Sequence, residues 1–200
     1  RSLARAMPHA WSGFFEKFGR LTPIQRVAIP KILDGSNTLV MSATASGKTE
    51  AACAPLVERF YDSMGHWTIL YVTPTRALVN DLYYRLSPAM ERLSLRLARR
   101  TGDHHDDPTG ANILLTTPES FDSLLCRGRT NSSSGHHLSN VRAIVLDEIH
   151  LLHGNPRGEQ LRWQLERLKL LRKQAKIQGW AIQDDVQLIA MSATIPNRDE

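Results

Sequence analysis

Six short apolar runs, each followed by residues at helical spacing, constrain this chain more than any other feature. Leu39 to Met41, Thr68 to Val72, Leu95 to Ala98, Ile113 to Thr116, Ala143 to Leu146 and Leu188 to Met191 are nearly all apolar rather than alternating. Strands covered on both faces of a parallel sheet read this way. Between the runs the period turns helical: Leu161, Leu165, Leu168 and Leu171 form a stripe after Arg157, with Arg162, Glu166, Lys169 and Lys173 off it. The alternation predicts an open α/β domain, a mostly parallel sheet flanked by helices, with ligands at the carboxyl ends of the strands. At 200 residues the chain can bury one substantial core. Residues 1–21 are expected to be a leading helical element packed against a domain formed by residues 22–200.

The first run leads directly into Ser42-Ala43-Thr44-Ala45-Ser46-Gly47-Lys48-Thr49, and the segment from Glu50 to Tyr61 is amphipathic. A strand, a tight small-residue loop and a helix in that order make a phosphate cradle. Thr44, Ala45, Ser46 and Gly47 would supply backbone N–H groups, Lys48 would reach the terminal phosphates, and Thr49 would place a hydroxyl on magnesium. The usual pattern starts with Gly six residues before its Lys; here Ser42 stands there. Ala45 carries a methyl group where Gly would allow the closest approach, which is compatible with binding if its φ stays negative.

Further on, Ala143-Ile144-Val145-Leu146 ends in Asp147-Glu148-Ile149-His150, setting two acids at a strand's carboxyl edge. Asp147 is suited to hold the magnesium and Glu148 to orient or deprotonate a water attacking the terminal phosphate. An isolated Asp-Glu at such a place would be read as a helix cap or a solvated turn. Its pairing with a Gly-Lys-Thr loop argues for the catalytic role.

With these residues in view, the chain resembles the first RecA-like domain of a superfamily 2 helicase of the DExH type. Thr22-Pro23-Ile24-Gln25 resembles the Q motif, Ser42 to Glu50 motif I, Pro74-Thr75-Arg76-Ala77-Leu78 motif Ia, and Thr101-Gly102-Asp103 the Thr-Gly element after it. Thr117-Pro118-Glu119-Ser120 resembles motif Ib, Asp147 to His150 motif II, and Ser192-Ala193-Thr194 motif III. Within that group the chain is most similar to the large helicase-related (Lhr-like) branch. The signs are Ala45 to Glu50, Thr116 to Ser120, and Arg157-Gly158 leading to Leu165-Glu166-Arg167-Leu168.

The resemblance implies a RecA-like P-loop domain, ATP and Mg2+ as cofactors, and single-stranded DNA or RNA as a partner held through its backbone. It implies that Gln25 reads the adenine edge, while the residues themselves also allow Thr22 to be an ordinary helix cap with Pro23 in the first turn. Phe18, Trp11, Phe14 or Phe15 could stack on the base, although core packing is the stronger expectation for each. Thr75, Arg76, Gly102, Thr117 and Pro118 are implied to meet the nucleic-acid backbone. His150 is implied to link the nucleotide site to Ser192 and Thr194. A second RecA-like domain, a further partner, is implied to close over the ATP, so the 200 residues alone are expected to bind ATP weakly and hydrolyse it slowly. The alternatives are a DExH ATPase that remodels nucleic acid–protein complexes without unwinding, or a non-catalytic nucleic-acid-binding scaffold.

Composition supports a narrower set of statements. A hydrophobic fraction of 42% with 22% charged residues reads as globular, and a net charge of +5 is compatible with a nucleic-acid partner without establishing one. No apolar run approaches the roughly 20 residues that span a bilayer, so no membrane partner is expected. Arg1 to His9 lacks a signal-peptide core, and Cys53 and Cys126 form no disulfide framework, so a cytoplasmic setting is expected. His104-His105-Asp106-Asp107 and His136-His137 are read as loop residues rather than metal ligands, and Gly128 to Ser139 as a surface loop. The basic residues from Arg162 to Lys176 are read as the wet face of a helix.

Overall fold

The structure, a computed structural model, describes residues 2–106, 110–127 and 135–193. Its six strands are β1 (Thr38–Met41), β2 (Ile69–Val72), β3 (Leu97–Arg100), β4 (Ile113–Thr116), β5 (Ala143–Leu146) and β6 (Gln187–Ser192). They form one sheet in the order β1-β6-β5-β2-β4-β3, with every neighbouring pair parallel. The helices are α1 (Ser2–Ala6), α2 (Ala10–Phe14), α3 (Pro23–Leu33), α4 (Lys48–Phe60), α5 (Arg76–Arg92), α6 (Pro118–Cys126) and α7 (Pro156–Ile177). This is the α/β, RecA-like architecture expected from the apolar runs.

The strand sequences are apolar on both faces because both faces are covered. Along β2, Ile69 and Tyr71 enter the core shared with α2 to α5, while Leu70 and Val72 enter the core shared with α6 and α7. Burial of this kind contributes about 1.5–3 kcal/mol per large apolar side chain. Met7, Ala10, Phe14 and Phe15 are buried in the first of these cores, so the leading helical element shares the hydrophobic interior of the sheet.

Helix starts follow local chemistry. Thr22, Thr75 and Thr117 cap α3, α5 and α6 through their hydroxyls, and Asn155 caps α7 through its side-chain oxygen. Pro23, Pro118 and Pro156 occupy first-turn positions, where no N–H is needed. Gly158 is required in the first turn of α7, because a Cβ there would sit 2.0 Å from the Leu152 carbonyl oxygen.

Three features depart from the sequence reading. The third strand begins at Leu97, two residues later than expected. The end of α5 consumes Leu95: Ser94 takes a left-handed φ of 55°, and the Leu95 N–H bonds the Met90 carbonyl at 2.9 Å. That is a Schellman closure with Ser where Gly is usual. On α7 the inward stripe includes Gln164 and Arg172, exposed by only 1% and 2%, so Arg172 is not on the wet face. Its guanidinium bonds the Gln183 carbonyl, and Gln164 Nε2 donates to the Pro118 carbonyl at 2.9 Å. His137–Asn140 forms a 3-10 turn with Leu138 and Ser139 buried, so the expected loop ends in packed structure; residues 128–134 lie outside the described residues.

Candidate nucleotide and nucleic-acid sites

A parallel sheet brings every strand's carboxyl end to one edge, and the strand order then sorts the motifs into two groups. The loop after β1, the acids after β5 and Ser192 at the end of β6 lie on one side. The segments after β2, β4 and β3 lie on the other.

On the first side, Lys48 begins α4 and is 7% exposed. Its Nζ donates to the Ser42 and Ala43 carbonyls at 2.6 and 2.9 Å. Gly47 has a φ of 89°, and a Cβ on it would meet Gln25 Nε2 at 2.3 Å. Ala45 has a φ of 59°, so the condition of a negative φ is not met there, and the left-handed backbone costs about 1 kcal/mol for an L-residue. The Ser46 hydroxyl oxygen is buried without a hydrogen-bond partner. An orphan hydroxyl, a Lys held by loop carbonyls and free helix N–H groups together fit a phosphate chain.

Gln25 satisfies two elements at once. Its Oε1 accepts from the Thr22 N–H at 2.9 Å, completing a capping box, and its Nε2 donates to the Gly47 carbonyl at 3.2 Å. The helix-cap reading and a place beside the phosphate loop therefore both hold. A cavity of about 640 Å³ opens here, lined by Phe18, Thr22, Gln25, Ala45, Gly47 and Arg85 among others. Phe18 is 57% exposed and faces this cavity, whereas Phe14 and Phe15 are core residues and Trp11 packs against the core.

Asp147 Oδ2 accepts from the Tyr71 hydroxyl at 2.8 Å, and its Oδ1 accepts from the Glu148 N–H at 2.9 Å. Burial raises the Asp147 carboxyl above its ordinary value, and the Tyr71 bond opposes that shift. Burial, then the Asp147 charge, pushes the Tyr71 hydroxyl well above its own ordinary value. Glu148 has a left-handed backbone, φ 49° and ψ 43°, a strain of the kind found at sites that must aim a side chain. Its Oε2 lies 3.2 Å from His150 Nδ1, which lies 3.3 Å from Ser192 Oγ. Ser192 donates to the Ala193 carbonyl at 2.7 Å, so a proton on His150 Nδ1 serves both of its contacts. Thr194 lies outside the described residues.

On the second side, a cavity of about 670 Å³ is lined by Thr75, Arg76, Gly102 and Thr117, together with Arg100, His105, Arg127 and Arg157. The Thr75 and Thr117 hydroxyls accept from Leu78 N and Ser120 N; Thr75 keeps its own proton to give, and Thr117 directs its proton to Ser120 Oγ at 3.5 Å. Arg76 Nη1 donates to both Asp103 oxygens at 2.7 Å. Gly102 gives Arg76 room: a Cβ there would meet its Nη2 at 2.5 Å. Arg157 joins two motifs, donating to Glu119 Oε1 at 2.8 Å and to the Pro74 carbonyl at 2.5 Å. Burial, and after it the neighbouring Arg127 charge, lowers the Arg100 pKa. Pro118 differs from expectation: it is buried at the start of α6 and does not line the cavity.

The sequence reading missed Tyr71, Arg85, Arg100 and Arg127, none of which lies in a motif. His105 is exposed, as the solvated-loop reading expects, and also pairs with Arg100 in a single antiparallel backbone bridge and lines the cavity, while Asp106 is held by Arg99 at 3.0 Å. Asp107 lies outside the described residues. Among the described residues no cluster of His, Cys, Asp or Glu could hold a metal by itself, and no helix is long and apolar enough to cross a membrane.

Comparison with known proteins gives a consistent result. The family model for DEAD/DEAH box helicase matches residues 22–200. The ATP-dependent DNA helicase Hel308 of Pyrococcus horikoshii is 32% identical over 184 residues, covering 90% of this chain and 22% of that protein. The Lhr helicase/probable uracil glycosylase of Mycolicibacterium smegmatis is 30% identical, covering 98% of this chain and 13% of its own length. Among solved structures, Mycobacterium smegmatis helicase Lhr bound to ssDNA and AMP-PNP superposes with a TM-score of 0.74 at 29% identity, over 93% of this chain and 24% of that one. The chain thus spans less than a quarter of these relatives.

Proposed function

The chain belongs to the DEAD/DEAH box helicase family of superfamily 2, and we propose that it is the ATP-hydrolysing motor domain of a nucleic-acid helicase or translocase. The observation that carries this reading is the division of the strand edge. The phosphate loop and the Asp147–Glu148 pair flank β6, while an arginine-rich cavity lies across β5 at the ends of β2, β4 and β3. A relative of which this chain covers 24% was solved with ssDNA and AMP-PNP together, which supports a protein that takes both ligands.

In this reading Phe18 and Gln25 meet the base, and Lys48 leaves the Ser42 and Ala43 carbonyls for the terminal phosphates. Thr49 and Asp147 would hold magnesium, which when bound would supply positive charge against the phosphate oxygens. Glu148 orients the attacking water and accepts its proton, and catalysis rests on that alignment and on positioned positive charge. His150 touches both Glu148 and Ser192, a direct route from the hydrolytic carboxylate to the end of β6. In the other cavity, Thr75, Thr117, Arg76, Arg100 and Arg127 would contact phosphates, giving sequence-independent, salt-dependent binding. Arg76 would exchange Asp103 for phosphate.

By likeness to helicases that close a second RecA-like domain over ATP, the 200 residues alone should bind ATP weakly and turn it over slowly. The test is ATP hydrolysis by the full-length protein with single-stranded DNA, single-stranded RNA and DNA–RNA hybrid, followed by unwinding assays. Stimulation by at least one single strand is expected. ATP turnover indifferent to all three would refute the motor reading, and stimulation without strand separation would indicate remodelling.

A further inference from the structure

Arg85 is a charged residue in the nucleotide cavity with no place in the helicase motifs. It lies on α5 outside that helix's buried stripe of Val79, Leu82, Leu86 and Met90, and its side chain is 50% exposed. Even so, it reaches across to α4. Its Nη2 donates to Thr49 Oγ1 at 3.0 Å, its Nη1 lies 3.3 Å from Asp81 Oδ2, and Glu50 Oε1 stands 4.0 Å away. It lines the same cavity as Gln25, Ala45, Gly47 and Glu50.

Thr49 is the residue whose hydroxyl would ligate magnesium. A hydroxyl oxygen has two acceptor positions, and one is taken by a full positive charge. A magnesium ion sits about 2.0–2.1 Å from its ligand oxygens. Bound to the same Thr49 oxygen, it would face the guanidinium at short range with like charge, and it could not tolerate that neighbour. Asp81, one turn earlier on α5, and Glu50 offer Arg85 carboxylates to fall back on.

We propose that Arg85 is a positioning residue that stands in for magnesium. In the nucleotide-free protein it orders the Thr49 hydroxyl and balances the local carboxylates. It withdraws toward Asp81 and Glu50 when metal-bound ATP enters, and thereby sets the magnesium concentration that loading requires. This rests on the ATP-site reading given above.

The experiment measures binding of a fluorescent ATP analogue to the full-length protein in EDTA and across a magnesium titration, for wild type, Arg85→Ala and Arg85→Lys. Arg85→Ala should move the magnesium midpoint to lower concentration by about tenfold, the scale on which groups contacting a metal ligand tune affinity. Its metal-free affinity should change by less than about threefold, since in this account the guanidinium holds no phosphate. Arg85→Lys, which keeps the charge, should restore a midpoint near that of wild type. An unchanged midpoint in Arg85→Ala, or a large loss of analogue binding in EDTA, would overturn the proposal. Failure of folded wild-type protein to bind the analogue under any condition would overturn the ATP-site reading itself, a distinct result.

Discussion

Replacing Tyr71 with Phe removes one oxygen atom, and the structure indicates what that atom does. Tyr71 is fully buried on β2, in register with Val145 of β5, and its hydroxyl is the donor to Asp147 Oδ2 at 2.8 Å. Hydrogen bonds to charged groups contribute about 1.5–3 kcal/mol. Asp147 retains the Glu148 N–H on its other oxygen and is only partly shielded from water, so the lower end, about 1.5 kcal/mol, applies. With a urea m-value of about 2 kcal/mol/M, the unfolding midpoint should fall by about 0.75 M. The loss should depend on pH. Burial raises the folded-state pKa of Asp147 above its unfolded value, so ionising it costs the fold stability; that cost is full above the folded pKa, shrinks as pH falls through it and is gone below the unfolded pKa. The Tyr71 hydroxyl reduces the cost, so its removal matters most where Asp147 is charged. The difference between Tyr71→Phe and wild type should therefore be full at pH 7.5 and shrink toward acid pH. A shift below about 0.2 M at pH 7.5, less than a third of that expected, or one that does not vary with pH, would refute the reasoning.

Two further predictions concern the loop and the groove. Ala45→Val places a β-branched residue at a φ of 59° and should cost a further 1 kcal/mol or so, lowering the thermal midpoint by about 2–4 °C; an unchanged midpoint would mean that the loop is not left-handed at this position. Arg100→Ala in the full-length protein should weaken single-strand binding evenly across sequences and reduce the slope of log affinity against log salt by about one, read from fluorescence anisotropy titrations; an unchanged slope would remove Arg100 from the phosphate-contact surface.

The sheet was legible because parallel strands advertise themselves: Ile113 to Thr116 and Ala143 to Leu146 are apolar at every position that two cores must cover, apart from the terminal Thr. The third strand was misplaced because Leu95 looks like strand but serves the α5 cap, and a left-handed Ser94 carries no sequence signal comparable to Gly. Motif residues could be named in advance since their spacing along the chain is set by local loop chemistry. Tyr71 and Arg85 could not, because each acquires its partner only through tertiary packing: Tyr71 by the β2–β5 register, Arg85 by the approach of α5 to α4. For the same reason Arg172 was read as solvated, although it sits at a stripe position of α7 and is buried there against Gln183.

The central claim is that the phosphate loop and the acids after β5 form one hydrolytic site. It is tested most directly by Glu148→Gln in the full-length protein, with ATP binding and single-turnover hydrolysis measured on the same preparation. The account predicts binding within about threefold of wild type and hydrolysis reduced by at least about a hundredfold, the range associated with loss of a general base. Hydrolysis that survives the substitution would contradict it.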